Sequence, residues 1–177
     1  MSSIAPGTYK LDPAHSEVGF EVRHAGISKV RGSFEDVEAT FVVAEDPKDT
    51  TLEATMKTAS ITTHNEQRDA HLKGDDFFKV EQYPEITFKA TDCSGSQEGL
   101  TIKGELTILD TTKEVELETT YNGTVGDPMG NTRAGFEAET TINRKDYGLT
   151  WNAALEAGGV LVSDKVKIVI DASLIKE

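Results

Sequence analysis

The chain has little cysteine and no long apolar run. Cys93 is its single cysteine among 177 residues, so an internal disulfide bond is excluded, as is usual in a reducing compartment. The N-terminus shows no basic stretch followed by an apolar run of signal-peptide length, and no later segment approaches the ~20 apolar residues needed to cross a bilayer. We therefore expect a cytoplasmic protein with no stable membrane insertion.

Positive charge is also scarce. Lys and Arg number 18 against 31 Asp and Glu, which gives a formal net charge of -13. A chain this acidic repels phosphate backbones instead of neutralising them, so we expect no nucleic-acid partner. The length suits one hydrophobic core, and residues 1–177 are expected to form a single domain.

Motifs for common enzyme chemistry are missing. The chain contains no G-x-S-x-G elbow for a nucleophilic serine, and no G-x-G-x-x-G or Walker-type loop for a nucleotide. Paired carboxylates for acid–base catalysis remain open among so many acidic residues, although most of these fall on the polar side of predicted strands. We predict no catalytic residue.

The four histidines lack the spacing of a single metal site. His64 and His71 are seven residues apart, which on a helix is two turns and about 10 Å of rise. His15 and His24 have opposite parity and would point to different sides of one regular strand. A centre assembled from different strands stays open, but the prediction is that no metal is bound.

Period-two alternation dominates what the sequence does contain. Every second position is mostly apolar in residues 18–22, 52–56, 86–90, 100–108, 115–121, 136–142 and 166–174, and the positions between them are mostly polar. The segment SFEDVEATFVV adds another strand, and Gly, Pro, Asp and Asn turns separate the runs. The pattern predicts an all-β fold: an antiparallel barrel of about eight strands with one apolar and one wet face.

One segment interrupts the strands with helical character. In TTHNEQRDAHLKGDDFF, Thr63 and Glu66 have the spacing of a capping box, and Gly74 is a stop signal. We predict a short helix that caps or flanks one end of the barrel, with Phe77 and Phe78 packed inward. The barrel is thus expected to carry one or two short helices.

Several polar residues interrupt apolar patterns. His24 has the parity of Val18, Phe20 and Val22, so a strand that hides three apolar side chains also places a histidine on its hidden face. One interpretation is a structural network that ties strand ends to the helix. The other is a cavity mouth that fixes the polar head of a ligand whose tail lies in the apolar interior. The predicted polar end consists of Asp12, His15, Ser16, His24, Arg68, His71, Arg144 and Asp146.

These residues carry a resemblance to a known family. The blocks YKLDPAHSEVGFEVRH, VRGSF, ITTHNEQRDAHLKGDDFF, YPEITF, KGELTI, NRKDYGLTWN and VSDKVKIVID, in this order, cover nearly the whole chain. Together they resemble the YceI-like family of lipocalin-like proteins that bind polyisoprenoid chains. The resemblance implies an extended lipocalin-like barrel with an elongated apolar pocket for isoprenoid quinones, prenyl phosphates or other long-chain amphiphiles, and it does not imply catalysis.

The sequence and the resemblance together lead to a functional hypothesis. We expect a binding or carrier protein for a polyisoprenoid or fatty ligand, such as a quinone, with no cofactor other than this bound lipid. The residues expected to line its cavity are Val18, Phe20, Val22, Leu52, Met56, Ile86, Phe88, Leu106, Leu117, Phe136, Ile142, Val166 and Ile168.

Two alternatives to a carrier remain open at this stage. One is an enzyme that acts on a small hydrophobic substrate through the His, Arg and Asp residues, with or without metal. The other is a barrel filled by its own side chains. A homodimer is compatible with a carrier, although the sequence offers no decisive apolar patch.

Overall fold

The alternating segments form strands in the computed structural model, which describes residues 4–96, 99–156 and 158–177. The strands of these residues are β1 (Gly7–Leu11), β2 (Glu17–His24), β3 (Ser28–Phe34), β4 (Val37–Val43), β5 (Thr51–Lys57), β6 (Ile61–Thr62), β7 (Glu85–Ser96), β8 (Gly99–Ile108), β9 (Thr111–Gly126), β10 (Thr132–Asn143) and β11 (Val162–Lys176). A helix, α1 (Glu66–Lys73), follows β6. Short 3-10 turns lie at Pro13–His15, Pro47–Asp49, Thr58–Ser60 and Arg144–Tyr147.

Eight of the strands close into an antiparallel barrel. The ring runs β1, β4, β5, β7, β8, β9, β10 and β11, and β11 then pairs with β1. The remaining pairings, β11 with β2, β2 with β3 and β3 with β6, continue the same wall. Three long strands of the wall are therefore each interrupted, and their two parts are β1 and β2, β3 and β4, and β5 and β6. The predicted barrel of about eight strands is confirmed.

The up-and-down connections collect the loops at two ends of the barrel. The mouth end comprises the β2–β3 turn, α1 with the residues that follow it, the β8–β9 turn, and residues 144–156 and 158–161. The closed end comprises residues 4–6, the β4–β5 loop and the β9–β10 turn. Access to the interior differs between the two ends.

Helix α1 is capped differently from the prediction. Asn65, not Thr63, is the N-cap, because its side chain accepts a hydrogen bond from Arg68 N at 2.9 Å. His64 has a φ of 59°, which turns the chain away before the helix and leaves Thr63 outside it. Gly74 ends the helix, as predicted. Among the residues described, no helix is both long enough and apolar enough to span a bilayer.

Two apolar clusters fill the barrel unevenly. The larger one surrounds the middle and the mouth end, and includes Phe77, Ile86 and Leu149. The smaller one packs the closed end around Tyr9, Phe41, Tyr121 and Phe136. Inward-facing residues alternate with exposed ones along the strands, as expected for a barrel wall.

Candidate ligand-binding cavity

The barrel interior keeps open space. A cavity of about 410 Å³ extends from β10 and β11 near the closed end to the loops of the mouth end, and it falls in the range of roughly 300–1,000 Å³ found for ligand pockets. The barrel is therefore not filled by its own side chains. All thirteen apolar residues predicted to face inward line this cavity: Val18, Phe20, Val22, Leu52, Met56, Ile86, Phe88, Leu106, Leu117, Phe136, Ile142, Val166 and Ile168.

Two glycines make room for large rings in the wall. A Cβ atom on Gly32 would lie 2.4 Å from the ring of Phe20, and one on Gly104 would lie 2.4 Å from the ring of Phe88. Because neither glycine has a side chain, the two rings occupy the space above the neighbouring strands. Both phenylalanine rings thus pack against the wall and do not fill the lumen.

The floor of the cavity is aromatic. Phe41 and Phe136 meet edge to face with ring centroids 5.8 Å apart, and Tyr121 packs behind Phe136 at 5.2 Å. Tyr9, which is fully buried, donates its hydroxyl to Ala5 O at 2.7 Å. Burial and, to a lesser degree, the neighbouring Tyr121 raise the pKa of Tyr9, so its hydroxyl stays neutral. This packing closes the far end of the cavity.

Helix α1 places two polar side chains at the mouth. Arg68 donates from Nε to Thr63 Oγ1 at 2.7 Å and from Nη2 to Thr63 O at 2.9 Å. Thr63 is itself fixed by Asp69 Oδ1, which accepts from Thr63 N at 2.8 Å and from its hydroxyl at 2.5 Å. No protein acceptor within the described residues binds Nη1 of Arg68. Arg68 is therefore held in position with donor capacity to spare.

His71 lies on the same face of α1 as Arg68. Its Nε2 is 2.8 Å from Asp76 Oδ2. Its ring meets Trp151 edge to face at 4.7 Å and Phe77 at 5.1 Å. The imidazole is thus fixed between a carboxylate and two aromatic rings, and all three aromatic side chains line the cavity.

Arg144 lines the cavity but is bound to the backbone. Its Nε donates to Ser163 O at 2.8 Å, and its Nη1 donates to Leu149 O at 2.6 Å and Trp151 O at 2.9 Å. Its Nη2 donates to Val162 O at 3.3 Å and lies 4.0 Å from Asp164 Oδ1. Burial lowers the pKa of this guanidinium. These bonds join residues 149–151 to the start of β11, so Arg144 shapes the mouth and has little capacity left for a ligand's head group.

The predicted polar end is only partly assembled. His24, Arg68, His71 and Arg144 all line the cavity on the mouth side. Asp12, His15, Ser16 and Asp146 do not line it, and the expectation that all eight lie together is wrong. Asp146 is exposed in the 3-10 turn after β10.

Asp12, His15 and Ser16 lie far from the mouth because β1 and β2 follow one long wall strand. Asp12 N donates to Ser173 O, whereas His24 pairs with Val162. At the usual rise of a strand, the eleven residue steps from Val162 to Ser173 along β11 span roughly 35 Å. Nearness in sequence was misleading here, since the chain runs almost the length of the barrel between Asp12 and His24.

Asp12 instead joins a charged cluster on the outside of the closed end. Arg133 donates from Nη1 to Asp12 Oδ2 and from Nε to Asp127 Oδ2, both at 2.7 Å. His15 Nδ1 lies 2.7 Å from the same oxygen of Asp12. The hydrogen bond from Arg133, followed by that from His15, lowers the pKa of Asp12 to about 2, and Arg133 also lowers the pKa of Asp127 to about 2.

Sequence reasoning missed several residues of the mouth and lumen as site members. Thr119 and Thr140 line the cavity, and their parity within VELETTY and FEAETTI is the signal that could have identified them. Thr63, Trp151 and Leu161 lie in segments without alternation, so no periodic signal marks them. In residues 4–96, 99–156 and 158–177, no three His, Cys, Asp or Glu side chains come together as a group that could hold a metal ion.

Comparison of the sequence with known proteins identifies its relatives. The profile of the YceI-like domain matches residues 9–174. UPF0312 protein SAS2572 of Staphylococcus aureus is 39% identical over 163 residues, which cover 90% of this chain and 92% of that protein. UPF0312 protein plu2095 of Photorhabdus laumondii is 37% identical over 149 residues, 82% of this chain and 78% of that protein.

Solved structures share the fold. The YCEI protein of Campylobacter jejuni is 30% identical, with a TM-score of 0.75 over 100% of this chain and 99% of that chain. A polyisoprenoid-binding domain from Saccharophagus degradans has a TM-score of 0.69 at 12% identity, over 98% of this chain and 100% of that domain, and this likeness concerns the fold alone. With its profile match over most of its length, the chain belongs to the YceI-like domain family.

Proposed function

We propose that this protein binds a polyisoprenoid or another long-chain amphiphile, such as an isoprenoid quinone or a prenyl phosphate, and carries it in the barrel. The observation that carries the proposal is the shape and lining of the cavity. Its walls are apolar over most of the barrel, its far end is closed by aromatic rings, and its charged side chains lie at the mouth. A domain of the same fold from Saccharophagus degradans is a polyisoprenoid-binding domain.

The energetics suit a long apolar tail. Each buried methylene contributes roughly 0.8 kcal/mol, and micromolar affinity needs about 8 kcal/mol. A few prenyl units therefore outweigh the cost of ordering the ligand. Affinity would come from the length of chain in contact with the wall.

The orientation of the ligand follows from the two ends. The tail points toward Phe41 and Phe136, and the polar head remains at the mouth near His24, Arg68 and His71. Arg68 is the strongest candidate to contact an oxygen of the head group, because it lines the cavity, Thr63 fixes its guanidinium, and Nη1 has no protein acceptor among the described residues. Arg144 is not assigned this role, since backbone carbonyls occupy its donors.

Trp151 supplies a direct test, because it is the one tryptophan of the chain and lines the cavity. Titration with a prenyl quinone should quench its fluorescence saturably with one quinone per chain. Native mass spectrometry of the purified protein, followed by organic extraction, would then identify any lipid that copurifies. The absence of both saturable quenching and a copurifying lipid would refute the proposal.

A matched pair of variants tests whether the ligand binds inside the barrel. Thr140 lines the cavity and pairs with Ile168, while its neighbour Thr141 is exposed and pairs with Lys167. Thr140→Phe should fill the lumen and weaken quinone binding at least about tenfold, which corresponds to roughly 1.4 kcal/mol. Thr141→Phe adds the same ring to the outer face and should leave affinity unchanged. Circular dichroism would verify that both variants fold, and equal affinities would argue against binding in the lumen.

A further inference from the structure

Two strongly exposed apolar side chains stand beside the mouth of the cavity. Ile27, at the tip of the β2–β3 turn, is 85% exposed, and Val160, just before β11, is 50% exposed. Ala25 N donates to Leu161 O at 2.7 Å, which joins the two segments. We call residues 24–28 and 158–162 the rim. Its members His24, Leu161 and Val162 line the cavity, so the exposed apolar tips continue directly into the lining.

The rim is poor in the acidic residues that dominate the rest of the chain. Residues 149–163 contain one charged side chain, Glu156, and residues 24–33 contain no Asp or Glu. Lys29 and Arg31 of β3 share Glu21 of β2 as their ion-pair partner, so this side of the mouth carries no excess of negative charge. The α1 side of the mouth is mixed, with Asp75 and Asp76 close to Lys73 and Lys79. A protein with a net charge of -13 approaches a phospholipid surface with least repulsion through such a face.

The chemistry of the proposed ligand favours direct contact with a lipid phase. Moving a long-chain amphiphile through water exposes its tail, at roughly 0.8 kcal/mol for each methylene. A closed aromatic floor prevents passage through the far end of the barrel. The tail must therefore leave and enter at the mouth, and direct contact with a bilayer avoids the aqueous step.

We propose that the rim docks transiently on a lipid bilayer, with Ile27 and Val160 inserted at the interface, so that the ligand slides between bilayer and cavity. This inference rests on the proposed function. Two side chains contribute a few kcal/mol of interfacial burial, which suits a visit and not an anchor. The rim thereby sets the rate of exchange, while the lumen sets the affinity.

The closed end provides a matched control. Val125, near the end of β9, is 65% exposed, and Met129, in the β9–β10 turn, is 87% exposed. Their exposure is comparable with that of the rim residues, but they lie at the opposite end of the barrel. The double variant Ile27→Asp with Val160→Asp removes the rim tips. The double variant Val125→Asp with Met129→Asp adds the same charge at the closed end. Any effect of net charge alone is therefore common to both.

Stopped-flow quenching of Trp151 measures the transfer. Phosphatidylcholine vesicles that contain a long prenyl quinone are mixed with wild-type protein, and the rate should rise in proportion to vesicle concentration. The rim variant should slow transfer about tenfold, equivalent to roughly 1.4 kcal/mol, and the closed-end variant should change it less than about twofold. A rate independent of vesicle concentration, or equal slowing in both double variants, would overturn the docking proposal.

A separate titration distinguishes this failure from failure of the proposed function. A short-chain prenyl quinone that dissolves in water reaches the cavity without vesicles, so both double variants should bind it with wild-type affinity. If it binds all three proteins while the transfer rates contradict the expectation, docking alone is wrong. If neither this quinone nor the long-chain quinone quenches Trp151 of the wild type, and no lipid copurifies, the proposed function and the docking inference fall together.

Discussion

The two ends of the barrel are built from different interactions. At the closed end, aromatic and apolar side chains fill the interior, and Tyr9 and Ala134 are fully buried. The charged cluster there, Asp12, Asp127 and Arg133, stays outside the cavity. At the mouth, polar side chains face the cavity itself, and Arg68 and Arg144 hold loops by hydrogen bonds. Close packing of side chains therefore stabilises and seals the closed end. At the mouth, the hydrogen bonds of Arg68 and Arg144 form a frame that holds the loops in place and leaves the cavity open.

The largest expected effect is a loss of stability when the packing of the closed end is disrupted. Phe136 is buried between Phe41 and Tyr121, so Phe136→Ala should lower the free energy of unfolding by about 3–5 kcal/mol. Urea denaturation would measure the loss. Phe20→Ala is the control, because Phe20 is half-buried and lies against Gly32 in the wall, and it should lose about 2 kcal/mol.

The same variants sharpen the role of the floor. Removal of the Phe136 ring lengthens the lumen toward Tyr121, so Phe136→Ala should gain affinity for longer prenyl quinones relative to shorter ones. Phe20→Ala widens the wall without lengthening the lumen and should leave this ratio unchanged. Equal losses of stability in the two variants, with the same length preference, would contradict the distinction between floor and wall.

The next largest expected effect is a loss of stability when the hydrogen bonds that hold the loops of the mouth are removed. Arg144→Met leaves the carbonyl oxygens of Leu149, Trp151 and Ser163 without their charged donor, and should cost about 2–4 kcal/mol. Lys145→Met removes a neighbouring cation that makes an exposed ion pair with Asp164 at 3.3 Å, and should cost less than about 1 kcal/mol. Denaturation curves and the emission maximum of Trp151 would report both changes, and a loss for Lys145→Met as large as that for Arg144→Met would contradict the frame.

The sequence predicts the wall better than the ends, for a physical reason. Strand parity is a local property, so every apolar residue predicted to face inward lines the cavity. The height of a residue along the barrel depends on pairing between distant strands, and Asp12 and His24 were therefore placed together wrongly. Whether a ring fills the lumen depends on its cross-strand neighbour: Gly32 accommodates Phe20 at the wall, whereas Phe136 meets Phe41 at the floor.

The frame of the mouth was beyond sequence reasoning for a related reason. Residues 149–161 have no alternation in their sequence. The positions of residues 149–156 and 158–161 depend on the Arg144 side chain and on backbone bonds to Ala25 and within the segment. A motif such as NRKDYG marks Arg144 as unusual but does not say whether its partner is a ligand or a carbonyl oxygen. That distinction depends on which carbonyl oxygens the folded chain brings close to the guanidinium.

The smallest expected effect compares the ends by their outer charges. Asp12 and Asp127 have pKa values of about 2 in the folded protein, below an ordinary value of about 4, because Arg133 donates to both. A carboxylate with a lowered pKa stabilises the fold above its unfolded pKa, and this contribution disappears as pH falls from about 4 to about 2. Arg133→Met should raise both folded-state values and flatten the pH dependence of stability in this window.

Arg31→Met gives the matched comparison near the mouth, where Arg31 Nε donates to Glu21 Oε1 at 3.0 Å and lowers the pKa of that carboxyl. Lys29 remains 3.9 Å from Glu21 in this variant, and one carboxylate is affected in place of two. Urea denaturation at intervals between about pH 5 and about pH 2 should therefore show a smaller change for Arg31→Met than for Arg133→Met. The reverse order would mean that the Arg31–Glu21 pair contributes more to the stability of the barrel in acid than Arg133 does with Asp12 and Asp127.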